Sequence, residues 1–383
     1  MSAPPGTSVS LLVGPAFAAV PAPAQLAESI RSVQVTQGEH GSGFQLTFDV
    51  EPAYGASSTT GPSAVTSLLL KPYNRVVVSA SLNGTPHVLV DGVITHLEMA
   101  PAQGGQPSTL TVTGTDLTAV MDLWEVSLEY PALDPELIVA EIILSYLPYG
   151  LIPIVIPSWL AVPPLPTDRV PIKVGTDLAY VRYLAAQYGY DFYITPGPLP
   201  LTNVAYWGPQ IRLGLLQPAL SVNLGPATNV DALTFSYDAT TPTLAYGSVL
   251  NADTSLEVPV VGIPLWDLPP LAALPAVVVN VPLVRTTLFK HHGLTVAQAQ
   301  MKADALVSQS TQDTLVATGD LDAFRYGAVL TARSLVGVRG AGWEYDGVYY
   351  VRSVTHTIGP GSWKQHFELV REGLGSTVPA VLP

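Results

Sequence analysis

The chain has 383 residues, 48% hydrophobic and only 12% charged, with a formal charge of −13 from 16 Lys+Arg against 29 Asp+Glu. That length exceeds one ordinary core and implies two to four domains. The absence of cysteine excludes disulfides, thiolate catalysis and Cys-ligated metals, and with no basic cluster or zinc-finger spacing nothing favours direct sequence-specific nucleic-acid binding.

Ser10 to Ala19 is apolar, and Ala22-Pro23-Ala24 superficially resembles a cleavage region. A secretory signal needs a positive n-region, yet the first basic residue is Arg31, and Gly14, Pro15 and Pro21 break the run. It reads as an edge strand followed by a proline loop, with no signal peptide. Residues 1–125 read as all-β, a first β-barrel or sandwich. Phe44, Leu46, Phe48 and Val50 alternate with polar residues. Val76, Val78, Ala80 and Leu82 repeat the pattern and end at Asn83-Gly84, a hairpin signal. Val88 to Met99 and Leu110 to Val112 follow as further strands.

Residues 126–230 read as a mixed α/β domain. Asp134-Pro135 predicts a helix over Glu136 to about Leu147. A second helix starts at Thr176, with Leu178, Val181, Leu184, Ala185 and Tyr188 on one stripe and Gly189 as its stop. Tyr190, Phe192 and Ile194 then form a strand. The apolar run Leu151 to Val162 is interrupted by Pro153 and Pro157 and is too short for a bilayer, so no membrane segment is expected. Residues 231–290 read as a connecting strand and a Pro-rich arm. From Ser255 to Pro282 the prolines preclude a regular ladder, with Trp266 as an anchor.

Residues 291–383 read as a helix plus a second β-barrel. Thr295 and Gln298 form a capping box. Val348, Tyr350, Val354 and Ile358 share a parity, interrupted by Arg352 and His356. Trp363, Phe367 and Leu369 alternate with Lys364, His366 and Glu368. Gly359-Pro360-Gly361-Ser362 predicts the hairpin turn between these strands. Asp91-Gly92-Val93 with Thr95-His96, and Asp346-Gly347-Val348 with Thr355-His356, form a weak internal echo.

Catalytic motifs are missing: no nucleophile elbow, P-loop, H-E-x-x-H or dinucleotide fingerprint occurs. Adjacent His291-His292 diverge and read as a polar turn. His96 and His356 sit within strands as structural histidines. Glu125 and Glu129 could form a glycosidase carboxylate pair, but a solvated connection explains them equally. The chain is therefore expected to be no enzyme, with no catalytic, cofactor or metal residues and no cofactor. Low charge and a mean hydropathy of +0.34 fit a subunit that buries its outside against partners, although a bias toward Ala, Pro, Gly and Val contributes to the same numbers.

Four stretches carry a family resemblance: SVQVTQGEHGSGFQLTFDV (32–50), DLAYVRYLAAQYGYDFYI (177–194), VDALTFSYD (230–238) and YYVRSVTHTIGPGSWKQHFELVREG (349–373). Together they resemble the phage late control protein D family, the baseplate hub proteins of contractile tails and contractile injection systems. The resemblance implies a mainly β fold with α+β insertions, comprising two related β-barrel (tail-tube-like) domains plus smaller mixed α/β domains. It implies a structural virion protein, a homotrimer whose pseudo-hexameric ring joins the hexameric tail tube to a trimeric spike, with other baseplate components as further partners. No OB domain or β-helix follows Gly373, so the spike is expected as a separate chain. The location implied is a virion tail baseplate or phage-like particle assembled in the bacterial cytoplasm, and the net charge of −13 adds the expectation of an acidic lumen. The alternatives are a β-rich tail adhesin or carbohydrate-binding module and, third, a peptidoglycan hydrolase.

Overall fold

A computed structural model describes residues 7–50, 69–101, 108–131, 133–158, 170–250, 256–264, 269–279, 283–289, 295–378 and 381. The first unit comprises β1 (Thr7–Gly14), β2 (Val20–Pro21), α1 (Ala24–Glu28), β3 (Ile30–Gly38), β4 (Gly41–Val50), β5 (Arg75–Leu82), β6 (Thr85–Ala100) and β7 (Ser108–Asp116). A mixed unit follows: α2 (Thr118–Met121), β8 (Val126–Glu129), α3 (Pro135–Leu144), β9 (Leu151–Val155), β10 (Ile172–Gly175), α4 (Asp177–Tyr188), β11 (Asp191–Pro196) and β12 (Asn203–Gly208). Then come β13 (Gln217–Ser221) and β14 (Val230–Tyr237), followed by β15 (Thr243–Leu250), β16 (Glu257–Val261), β17 (Ala272–Pro275), α5 (Ala276–Val279), β18 (Arg285–Phe289) and α6 (Val296–Gln312). The chain closes with β19 (Leu315–Asp322), α7 (Ala323–Tyr326), β20 (Leu335–Arg339), β21 (Gly347–Gly359), β22 (Ser362–Arg371) and β23 (Gly373–Ser376). The protein is mainly β, in several sheets with small helices.

Local chemistry accounts for the turns and helix ends. Asn83 and Gly84 both take positive φ, 52° and 82°, as a primed hairpin turn requires, and Leu82 faces Thr85 across it. Pro360-Gly361 makes the last hairpin, with Gly361 at φ 75° and Gly359 opposite Ser362. Thr176 caps α4 by accepting from the Ala179 N–H, and Gly189 ends it in the left-handed region. The Thr295–Gln298 capping box opens α6 with both reciprocal bonds present. Asp134 precedes the N1 proline of α3, but its side chain makes no capping bond, and the helix stops at Leu144 rather than Leu147.

The two ends of the chain share one thirteen-stranded sheet among the described residues. In the first half β1, β5, β6, β7, β4 and β3 are successive neighbours; in the second half β13, β20, β21, β22, β19 and β14 take the same order. The parallel extends to irregularities. β3 bulges against β4 between Ile30 and Ser32, and β14 bulges against β19 between Val230 and Ala232. β6 bulges against β7 between Ile94 and His96, and β21 bulges against β22 between Val351 and Ser353. A bulge re-aims the strand locally, so matching bulges fix the register of one half on the other. β14, expected as a connector, is an outer strand of this sheet. The halves differ in two places: β1 runs antiparallel to β5 whereas its counterpart β13 runs parallel to β20, and Glu39-His40 joins β3 to β4 whereas residues 238–314 stand between β14 and β19.

β3 and β21 join the halves. They pair antiparallel from Val33 opposite Ile358 to Gln37 opposite Val354. The core crosses with them: Ile358, Trp363, Ala323 and Val329 from the second half pack with Leu46, Phe48, Val76 and Val90 of the first. The second core gathers Leu220, Leu315, Tyr349, Val351, Val354, Phe367 and Leu369. The parity expected along β21 does not hold. Tyr349 and Val351 face this core together with Val354, while Val348 and Tyr350 pack on the other face with Leu271, Leu335 and Val370. The extra residue at the Arg352 bulge flips the alternation.

The Pro-rich arm also departs from expectation, because β16 pairs with β15 and β17 pairs with β23. Pro259 and Pro275 are accommodated because β16 is an edge strand and β17 belongs to a two-stranded sheet, where a missing N–H can point away from the ladder. Trp266 and Pro282 lie outside the described residues. The Leu151 run contributes β9, which pairs parallel with β12, and no helix among the described residues is long and apolar enough to cross a membrane.

Trp363 is 1% exposed and belongs to the second half while packing in the first core. Replacing it with Ala is expected to cost about 3–5 kcal/mol. Urea unfolding followed by circular dichroism and hydrogen exchange will show both halves shifting in one transition if the core is shared. A shift confined to β22 contradicts that.

Candidate functional site

The seam between the halves is the most distinctive built feature. Within it the hydroxyls of Thr36 and Thr355 lie 3.1 Å apart across the β3–β21 ladder. Gln37, buried at the end of the seam, donates from Nε2 to the Leu89 carbonyl at 2.9 Å, tying β3 to β6. Arg352, the bulged residue of β21, reaches Glu39 at 3.4 Å, Glu368 at 2.9 Å and also Asp313. Bulge and ion pairs together clamp the end of β3, the end of α6 and β22.

His356 is fully buried in the seam opposite Val35. Its Nδ1 lies 3.1 Å from Gln365 Nε2 and 3.4 Å from Trp363 Nε1. Both neighbours can only donate, so Nδ1 holds the lone pair and the proton sits on Nε2. Burial first, and the nearby His87 second, push this imidazole down to about 3. The residue is a neutral structural histidine. His96, on the corresponding strand of the first half, is exposed.

Two buried ion pairs attach the other elements. Arg75 binds Asp91 through two bonds, Nε to Oδ1 at 2.6 Å and Nη2 to Oδ2 at 2.8 Å. Asp91 Oδ2 also accepts from the Leu201 N–H and from Asn203 Nδ2, each at 3.1 Å. Arg75 Nη1 donates to the Tyr149 carbonyl at 2.8 Å, so the pair fixes the mixed unit to the first half. Arg212 donates to Glu372 at 2.8 Å, and Glu372 accepts from the Ala272 N–H at 2.8 Å. That second pair seats β17 beside the end of β22. The Arg–carboxylate fork makes such pairs directional as well as strong.

Glu125 and Glu129 are both exposed at the β8 ribbon, and His291-His292 lies outside the described residues. A cleft of about 610 Å³ near the seam is lined by Glu39, Asp191, Asp313, Arg182, Lys302 and Arg352. Its charges are of mixed sign, and Arg352 is engaged with Glu39 and Asp313. Asp191 there is pushed up to about 7, by burial first and then by Glu39. No group of three or more metal-capable side chains occurs among the described residues. The sequence offers no local signal for Arg75, Arg352 or Gln37, which gain their roles only when distant strands meet. Asp91 is visible only through the echo. That echo does fall on corresponding strands, but the bulges set Asp91 against Val348 and His96 against Ser353, two to three residues away from the sequence alignment.

The overall fold is shared with solved structures. A 43 kDa tail protein of prophage MuSo2 from Shewanella oneidensis superposes with a TM-score of 0.65 at 12% identity, covering 96% of this chain and 98% of that one. This chain has the phage tail-protein fold. A tail protein from Neisseria meningitidis MC58 gives 0.64 at 11% identity, covering 97% and 98%. An Escherichia coli component of the type VI secretion system, itself structurally similar to bacteriophage T4 tail proteins gp27 and gp5, gives 0.53 at 11% identity, covering 93% and 77%. No protein-family model and no curated protein matches the sequence.

The two kinds of buried group yield different expectations. Asp91→Ala leaves Arg75 charged, buried and unpaired, a change expected to cost about 3–5 kcal/mol in denaturant titrations; an effect near zero contradicts the lock. His356 has a folded pKa below its unfolded value of about 6.5, so between these values the unfolded chain binds the extra proton. Its contribution is therefore complete above pH 6.5 and is lost progressively as pH falls toward about 3. Urea midpoints at several pH values should show a smaller acid loss in His356→Gln than in the native chain, and equal slopes would contradict the assignment.

Proposed function

We propose that the chain is a structural, non-enzymatic baseplate hub subunit, three copies of which close a pseudo-hexameric ring between a hexameric tail tube and a separate trimeric spike. The observation that carries this reading is the internal duplication. Each chain holds two sheets of the same strand order and the same two bulges, joined edge to edge by β3 and β21. A chain that is already a pair of equivalent units presents six of them in a threefold assembly, which is what joining sixfold to threefold symmetry requires. The tail-protein fold supports the reading. So do side chains such as Leu215, Leu283 and Val174, exposed at 96%, 88% and 76%, because apolar groups left in water on this scale suit a surface covered by partners. The setting that follows is a virion tail baseplate or a phage-derived injection particle, assembled in the bacterial cytoplasm, with an acidic passage through the ring.

Native mass measurement with electron microscopy tests this. The expected particle is three times the 40.4 kDa chain and ring-shaped, with acidic side chains on the wall of its passage. A compact monomer, a basic passage, or clearing of peptidoglycan in a zymogram contradicts it.

A further inference from the structure

The duplication leaves two strand edges whose counterparts are paired. In the first half β3 uses both edges, one against β4 and one against β21. Its counterpart β14 pairs with β19 alone among the described residues. Conversely, the last part of β21 lies between β22 and β3. The corresponding part of β6, from Leu97 to Ala100, pairs only with β7 among the described residues. Exposure follows the same split. Val354 and His356 are 0% exposed in the seam, whereas Leu97 and Met99, which the bulge register sets in their places, are 36% and 52% exposed.

The matching bulges also supply a register. Ser236 and Phe235 correspond to Thr36 and Val35 through the β14–β19 and β3–β4 ladders. Glu98 and Met99 correspond to Thr355 and His356. We infer that β6 of one chain pairs antiparallel with β14 of a second copy, setting Glu98 opposite Ser236 and Met99 opposite Phe235, as β21 and β3 pair within the chain. The junction buries an apolar pair on one face, and on the other the Ser236 hydroxyl donates to the Glu98 carboxylate. It satisfies two open edges at once. Because the two edges lie at different places on the chain, the contact is head-to-tail and propagates until it closes. The number of copies rests on the hub reading; the register rests on the duplication.

The absence of native cysteine makes disulfide trapping direct. Glu98→Cys with Ser236→Cys in one full-length chain is expected to shift the protein, under mild oxidant, from the monomer band to a closed multi-chain band on a non-reducing gel. Either single variant stays monomeric there. Thr36→Cys with Thr355→Cys, at the equivalent internal pair, should form an intrachain bond and reports that the fold and geometry are intact. Glu98→Cys with Ala232→Cys is out of register, and linking as efficient as in the first pair overturns the register. A ring seen by native mass, with the Glu98/Ser236 pair unlinked and the Thr36/Thr355 pair linked, overturns the edge pairing and leaves the hub reading standing. A monomer in every measurement overturns both.

Discussion

The β3–β21 ladder is the constraint on which the rest of the structure depends. It joins residues 319 apart in sequence at Thr36 and Thr355 and turns two repeated sheets into one continuous surface. Without it each half would present an open strand edge, the feature of β proteins most prone to unwanted pairing. The ladder is not held by backbone bonds alone, because Ile358 and Trp363 cross it to pack with the first core. Such a seam requires both ends of the chain before either is complete, so formation is governed by long loop closure.

Polar locks then position what hydrophobic packing leaves undetermined. Apolar surfaces are tolerant of rotation, whereas the Arg75 guanidinium donates to its partners in one plane. Asp91 of the first half and the Tyr149 carbonyl of the mixed unit accept from it, and Leu201 and Asn203 of the mixed unit donate in turn to Asp91. Arg352 performs a comparable task at the seam, and only the bulge places its side chain among Glu39, Glu368 and Asp313. Burying these charges carries a desolvation cost. In return they fix the orientation of neighbouring units.

Sequence legibility followed the range of the interaction. Asn83-Gly84, Pro360-Gly361, Thr176 with Gly189 and Thr295 with Gln298 act within one turn, and each was readable from its own few residues. The parity of β21 was not readable, since nothing in Arg352 itself announces a bulge that depends on β22. The strands at Pro259 and Pro275 were hidden for a related reason: proline forbids a central ladder but not an edge, and edge status is a property of the whole sheet. The duplication was visible only as an echo in the wrong register. Ile30–Gly38 and Val230–Tyr237 share a pattern of burial rather than residues, and two sheets can repeat a geometry without repeating a sequence.

The unequal turn between β3 and β4 and between β14 and β19 gives the repeat a direction. Two units alike in strand order differ in that one ends in Glu39-His40 while the other carries residues 238–314. In the three-chain ring proposed above, the six positions would be near-equal to anything that reads strands, but labelled alternately to anything that reads the insertions. A tube subunit docking on the sheets would meet one repeating site, while a partner docking on the insertions would find half as many. The same chain would thus count differently on its two sides.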